Sequence, residues 1–222
     1  MTSPLVLLDL DGTLMDSAPG ITASAAAAYR ALDLQVPDDA TLRSFVGPPI
    51  TDSFPAHGVP PERVGDAVAA YRTAYTGGGM FDAAVFDGVP EVLRELRAAG
   101  CTLAVATSKP EVFAQPICER FDLTGLVDAV FGAPLDEATS TKADVIERAL
   151  ATLDVPRPGA PGAGPMLMVG DREHDVHGAA VHALDCLGVA WGYAAEGELE
   201  RAGAVAVVDA VADLAQAVLA RL

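Results

Sequence analysis

The sequence predicts an α/β fold, a doubly wound parallel sheet with a small all-helical domain inserted after the first strand. Two observations carry this expectation. Short apolar runs recur along the chain, each followed by a segment with helical spacing, and the alternation breaks only between residues 16 and 86.

Residues 5–10, 102–107, 129–132, 166–170 and 187–191 are short, largely apolar runs suited to strands buried on both faces, with 205–208 as a possible edge. Between them, residues 91–99 form a helical pattern that ends at Gly100, and Pro110 opens another helix. Residues 141–153 and 174–183 also show helical apolar spacing. Strands separated by helices pair in parallel, with helices covering both faces of the sheet. Residues 157–165, rich in Pro and Gly, form a loop before the strand at 166–170.

The stretch 16–86 reads as several helices with Pro and Gly punctuation and no convincing strand, the clearest pieces being 21–32 and 62–75. Its two connections, near 16–19 and 82–87, lie close together and provide a hinge. The expected division is 1–15 with 87–222 for the α/β core and 16–86 for a helical cap.

The chain has 222 residues, enough for one sizeable core and a smaller appended domain. Fourteen Lys and Arg against 31 Asp and Glu give a formal charge of −17, with the basic residues scattered. That balance argues against nucleic acid and against an anionic membrane surface as partners. A small anionic substrate stays compatible, because a metal ion and local cations can reverse the field inside a pocket. Cys101, Cys118 and Cys186 are odd in number and widely spaced, which suggests neither a disulfide framework nor a Cys-rich zinc site. The first 14 residues lack a basic leader pattern, and no apolar stretch approaches the ~18 residues of a membrane span. A cytoplasmic location and a monomer or homodimer are expected.

Asp9 and Asp11 stand at the end of the first strand, and the alternation of side chains points them together while Leu10 points away. Gly12 lets the chain turn tightly, and Thr13 offers a hydroxyl and a backbone donor to an anion. Two carboxylates this close repel unless a cation or a shared proton intervenes, and Mg2+ is the natural hard cation for them. Thr107 and Ser108 end the second strand where a helix opens, a place equally suited to a helix cap or to a phosphate oxygen. Lys142 begins a helix, where a cation opposes the dipole; alone it reads as a solvated lysine, and a bound phosphate would account for it. The strand at 166–170 runs into Asp171 and, on the next helix, Asp175, bringing further carboxylates to the same sheet edge. Only His174 and His177 share a helical face closely, so with His182 and Cys186 they do not make a convincing zinc site.

Taken in order, these segments resemble the four motifs of the haloacid dehalogenase-like hydrolase superfamily, over essentially the whole chain. Asp9-Leu10-Asp11-Gly12-Thr13 is similar to the first motif, Thr107 or Ser108 to the second, Lys142 to the third, and Gly170-Asp171 with Asp175 to the fourth. The insertion resembles the helical cap of the branch that includes phosphoglycolate phosphatases and some nucleoside 5'-monophosphatases.

The resemblance implies a Rossmann-like core and a Mg2+-dependent phosphatase for a small phosphorylated metabolite, 2-phosphoglycolate or a nucleoside monophosphate. Asp9 would be the nucleophile that carries an aspartyl-phosphate, Asp11 the general acid and base, and Lys142 the cation that steadies Asp9 and the phosphoryl group. Mg2+ would be held by the Asp9 carboxylate, the Asp11 carbonyl and Asp171, with Asp175 as ligand or support. Thr107 and Ser108 would cradle phosphate, and Arg43 and Gly47, in and near the cap loop at 46–50, would meet the rest of the substrate. Asp11 favours phosphoryl transfer over dehalogenation. Sugar-phosphate mutases share both aspartates, but their cap loop usually carries an arginine and this one has none, although Arg43 is close. A catalytically silent binding protein is disfavoured by the occupation of every matched motif position.

Overall fold

A computed structural model describes residues 3–135 and 140–222 of the chain. The first strand, β1 (Leu5–Leu8), is wholly buried. Its alternation serves two layers, since Val6 and Leu8 pack into one apolar cluster and Leu5 and Leu7 into a second on the opposite face. After β1 the chain forms a short strand β2 (Met15–Asp16) and enters four helices: α1 (Ala18–Ala31), α2 (Asp39–Arg43), α3 (Ile50–Ala56) and α4 (Val64–Thr76). It returns through β3 (Ala84–Val85), which pairs antiparallel with β2.

The remaining elements alternate. They are α5 (Val89–Ala98), β4 (Thr102–Pro110), α6 (Glu111–Arg120), β5 (Ala129–Ala133), α7 (Lys142–Thr152) and β6 (Met166–Gly170). There follow α8 (Glu173–Val181), β7 (Asp185–Val189), α9 (Glu198–Ala202), β8 (Ala206–Val208) and α10 (Leu214–Leu219). In α5 the buried residues Val89, Val92, Leu93 and Leu96 repeat at helical spacing and form one apolar stripe.

The six strands of the main sheet run in the order β5-β4-β1-β6-β7-β8 with every pair parallel. The chain builds outward from β1 to β5, then crosses back to β6 and builds the other way. That reversal leaves a crevice at the carboxyl ends of β1, β4 and β6, the place where open α/β sheets bind ligands. No helix among the described residues is long and apolar enough to cross a membrane.

Each expected strand is present, although β7 starts earlier than the sequence suggested and β4 runs on to Pro110 through a register shift between Thr107 and Pro110. The reading of 16–86 as free of strand is corrected by β2 and β3. Each has only two residues, too few for any alternation to show, and their pairing is dictated by the chain leaving and returning at one place. The hydrogen bond from Phe86 N to Leu14 O, 3.1 Å, closes the same neck.

The four inserted helices are held by an aromatic chain. Phe45 lies 5.2 Å from Phe54, Tyr71 5.4 Å from Tyr75, and Tyr75 5.6 Å from Phe113 of α6, which carries the packing across to the sheet domain. Gly20 of α1 lets the return segment approach closely, because a Cβ there would fall 1.8 Å from Gly79 O. Gly20→Ala must therefore push α1 from that segment, and overpacking of this kind costs about 1–3 kcal/mol. Urea denaturation should show the unfolding free energy falling by that amount, read as a lower midpoint at an unchanged slope, and a change below about 0.5 kcal/mol would contradict this account of the contact.

Candidate active site

The end of β1 is shaped by a tight turn. Asp9 N donates to Val169 O of β6 at 2.9 Å, Gly12 N to Met15 O at 2.7 Å, and Leu14 N and Met15 N both to Leu10 O at 3.0 Å. Gly12 has φ of +83°, and a Cβ on it would meet Asp171 Oδ2 at 2.2 Å, so only glycine lets the turn pass over that carboxylate. The turn aims Asp9 and Asp11 into the crevice, from which β6 and the start of α8 present Asp171 and Asp175.

Asp9, Asp171 and Asp175 are all buried, and each offers an oxygen within 4.8 Å of the others. Lys142, only 6% exposed at the head of α7, places its ammonium 2.7 Å from Asp9 Oδ1, 2.7 Å from Asp175 Oδ1 and 2.9 Å from Ala106 O. One cation thus pairs with two of the three carboxylates. The local consequence is that burial, which outweighs the pull of Lys142, raises Asp9 to about 6. Burial and the neighbouring Asp175 and Asp9 charges likewise hold Asp171 well above the ordinary carboxylate range. Lys142 is held above its usual value, because Asp175 and Asp9 together overcome the burial that disfavours its charge.

The cluster fits a hard divalent cation on its own chemistry. It supplies only oxygen donors, it carries more negative charge than Lys142 can offset, and Asp175 Oδ1 has no partner aligned for a hydrogen bond despite the nearby ammonium. A solvated Lys142, the reading favoured by its position alone, is overturned by its burial.

A second buried lysine stands beside the first. Lys109, two residues beyond Thr107 on the same side of β4, reaches Asp11 Oδ2 at 2.7 Å and the Tyr75 hydroxyl of α4 at 2.8 Å. Asp11 is therefore paired with Lys109 and its side chain stands outside the carboxylate triad. Burial would lower Lys109, but Asp11 and the Tyr75 and Tyr71 hydroxyls hold it above its usual range. Sequence reasoning passed over Lys109 by treating 107–110 as a strand end and helix cap. The strand's register shifts between Thr107 and Pro110, so the alternation that would have placed Lys109 breaks where it stands.

The other expected residues fall in several places. Thr13 is wholly buried, and its hydroxyl lies 3.3 Å from Asp171 Oδ1. Thr107 Oγ1 accepts from Lys109 N at 3.2 Å. Ser108, Gly47 and Pro48 line a small cavity of about 50 Å3 with Asp11, Lys109, Tyr71 and Tyr75. Ser108 and Lys142 also line an open groove of about 600 Å3 with His174 and His177. Arg43 lies elsewhere: its guanidinium sits 5.2 Å from the centre of the Tyr193 ring and borders an outer groove with Arg30 and Asp39.

The chain matches the family model described as haloacid dehalogenase-like hydrolase over residues 6–189. It belongs to that family. A 5'-nucleotidase of Pseudomonas aeruginosa is 39% identical over 197 residues, covering 88% of this chain and 86% of that protein. Tyrosine-protein kinase PtkA of Mycobacterium tuberculosis is 41% identical over 189 residues, covering 85% of this chain but 62% of the relative. A crystal structure of a predicted phosphatase from Clostridium acetobutylicum superposes with a TM-score of 0.90 at 40% identity, covering 99% of this chain and 100% of that one.

Within this haloacid dehalogenase-like hydrolase the raised carboxylates make a pH prediction. In the folded state Asp9 and Asp171 keep protons that unfolded aspartates lose above about pH 3.9. For Asp9 the stability this lends is fully present below about pH 3.9 and is lost as pH rises from there through about 6. Without Mg2+, the melting temperature of wild type relative to Asp9→Asn should fall as pH rises from about 4 to about 6, and added Mg2+ should raise wild type more at the upper end. A difference that stays constant across that window would contradict the assignment.

Proposed function

We propose that the protein is a Mg2+-dependent phosphatase that hydrolyses a small phosphate monoester through a phosphoryl group carried on Asp9. The observation that carries this reading is the Asp9 carboxylate, held at 2.7 Å by Lys142 beside Asp171 and Asp175 at the sheet's ligand crevice. The metal would be held by Asp9 and Asp171, with the Asp11 carbonyl as a further donor and Asp175 as ligand or support. When bound it supplies positive charge against the transferring phosphoryl group. The family's hydrolase chemistry and the phosphatase and nucleotidase names of its relatives support the reaction class.

An Asp9 oxygen attacks phosphorus in line, and the bond from phosphorus to the leaving oxygen breaks. Lys142 keeps the attacking carboxylate oriented, and with Ser108 and the backbone at the end of β4 it receives the phosphoryl oxygens. Asp11, in its protonated form, gives its proton to the leaving oxygen. The resulting carboxylate then removes a proton from the water that attacks phosphorus, which releases phosphate and restores Asp9. Lys109, 2.7 Å from Asp11 Oδ2, holds that side chain towards the cavity. The inserted helices cover the strand ends as a cap, residues 16–86 on a core formed by 1–15 and 87–222.

The small cavity favours a leaving group of a few atoms, with Lys109 available to an anion such as the carboxylate of 2-phosphoglycolate. A nucleoside exceeds that cavity and would have to extend into the larger groove that shares Ser108, a second reading favoured by the 5'-nucleotidase relative. Both readings place a small phosphorylated metabolite in a cytoplasmic enzyme.

Asp9→Asn, which keeps shape but removes the nucleophilic charge, should abolish phosphate release, and wild-type turnover by it would refute the covalent route. Asp11→Asn should bind Mg2+ normally while kcat falls by ~10²–10⁴-fold, the usual worth of general acid and base help. Undiminished turnover would remove Asp11 from that role.

Substitution of Gly47 or Pro48 should change the ratio of kcat/KM between 2-phosphoglycolate and nucleoside monophosphates more than it changes turnover of a generic activated ester. Arg43, set on the Tyr193 ring, should be included in the same panel. An unchanged ratio across 43–50 would place specificity elsewhere in the cap.

A further inference from the structure

We infer that Tyr193 is a positioning residue that couples the hold on the Asp171 carboxylate to the seating of the helical cap. The inference rests on the reading above, in which the carboxylate triad binds Mg2+ and the cap closes over it. Tyr193 lies on the loop after β7, and its backbone N donates to Asp171 Oδ2 at 2.8 Å. Gly192 makes that approach possible, because a Cβ there would fall 2.3 Å from the Asp171 Cβ. Trp191 ties the same loop to the β1 turn through its Nε1, which donates to Thr13 O at 3.1 Å.

The side chain of Tyr193 turns the other way, to the neck of the cap. Its hydroxyl donates to Asp16 Oδ1 at 2.7 Å and accepts from Ser17 N at 3.0 Å and Ala18 N at 3.2 Å. One donor and two acceptor sites are all that a hydroxyl has, so the group is saturated by the entrance to α1. Ser17, at the N-cap of α1, makes no side-chain capping bond of its own. Helix starts leave free N–H groups that need a partner, and here the partner is a core residue from the far end of the chain. The Tyr193 ring also carries the Arg43 guanidinium of α2.

The residue next to Asp171 makes a parallel tie. Arg172 donates to Val46 O of the cap loop at 2.8 Å and is anchored by Glu198 at 2.7 Å. Both ties from the carboxylate's immediate surroundings therefore end on the cap. If the cap swings about its neck, the Tyr193 hydroxyl must either release three partners or carry the 191–193 loop, and with it the donor to Asp171. A cation that fixes Asp171 then favours the seated cap, and by reciprocity a seated cap favours the cation. A tyrosine serving only as packing would lose nothing on replacement by Phe, which keeps the ring, the contact with Arg43 and the backbone donor.

The test uses full-length wild type, Tyr193→Phe, Asp16→Ala and the double variant, with melting temperatures to confirm folding. Calorimetry measures Mg2+ binding, and hydrogen exchange is followed across α4, remote from the hydroxyl, with and without saturating Mg2+. In wild type, Mg2+ should slow exchange in α4 by about 5-fold or more, the lower end of common coupling. In Tyr193→Phe, Mg2+ should still bind while the slowing falls clearly below that of wild type, the Arg172 tie to Val46 carrying what remains. Asp16→Ala, which removes the acceptor of the Tyr193 hydroxyl and a second acceptor of Ala18 N, should reproduce the reduction, and adding Tyr193→Phe to it should change the slowing little further.

Wild-type slowing retained in Tyr193→Phe or, should that variant not fold, in Asp16→Ala would overturn the inference. Wild type that binds Mg2+ without any slowing would overturn the coupling and leave the metal reading standing. Wild type that binds no Mg2+ would overturn both.

Discussion

Three buried carboxylates facing one lysine are the constraint on which the rest of the site depends. Removing such charges from water is expensive unless they are paired, and Lys142 alone cannot pair them all. Protons take up part of the imbalance, which is why Asp9 and Asp171 are raised. The arrangement stores a demand for positive charge at the point where β1 meets β6. A divalent cation answers that demand, so the mutual repulsion of the carboxylates favours the positive charge against which the proposed reaction sets a phosphoryl group.

The fold supports this cluster with glycines and cations placed close behind it. Gly12, Gly170 and Gly192 each let backbone or carboxylate come closer than a Cβ would permit. Lys109 pairs Asp11 on one side of the site while Arg172 reaches the cap loop on the other, and both cations are themselves buried or partly buried between acidic partners. The inserted helices and the sheet share one apolar cluster, and polar groups close to the carboxylates add further ties between them. Tyr75 and Tyr193 are the two hydroxyls through which this happens, one above Asp11 and one beside Asp171.

Much of this was legible in the sequence because the main strands are buried on both faces and their carboxyl ends carry the charged residues. Asp9, Asp171 and Asp175 could be brought to one sheet edge from strand alternation and sheet logic, whereas Asp11 at the same edge pairs with Lys109 and its side chain stands outside the triad. Lys142 could not be distinguished from a surface lysine without the fold, since its burial depends on β1 and α8 converging over the head of α7. Lys109 was hidden by a register shift that local pattern does not announce. Tyr193, Arg172 and the β2–β3 neck were missed for a common reason: their partners lie far away in sequence, and two-residue strands have no period to read.

The account turns on whether phosphate passes through Asp9, and the most direct measurement is to catch it there. Wild type and Asp11→Asn should be mixed with Mg2+ and a turned-over phosphomonoester, quenched in acid within the steady state, digested and examined by mass spectrometry. The account predicts a peptide carrying one added phosphoryl group on Asp9, lost on mild alkaline treatment. Turnover without any adduct on that peptide in either protein, or an adduct on a different residue, would contradict it.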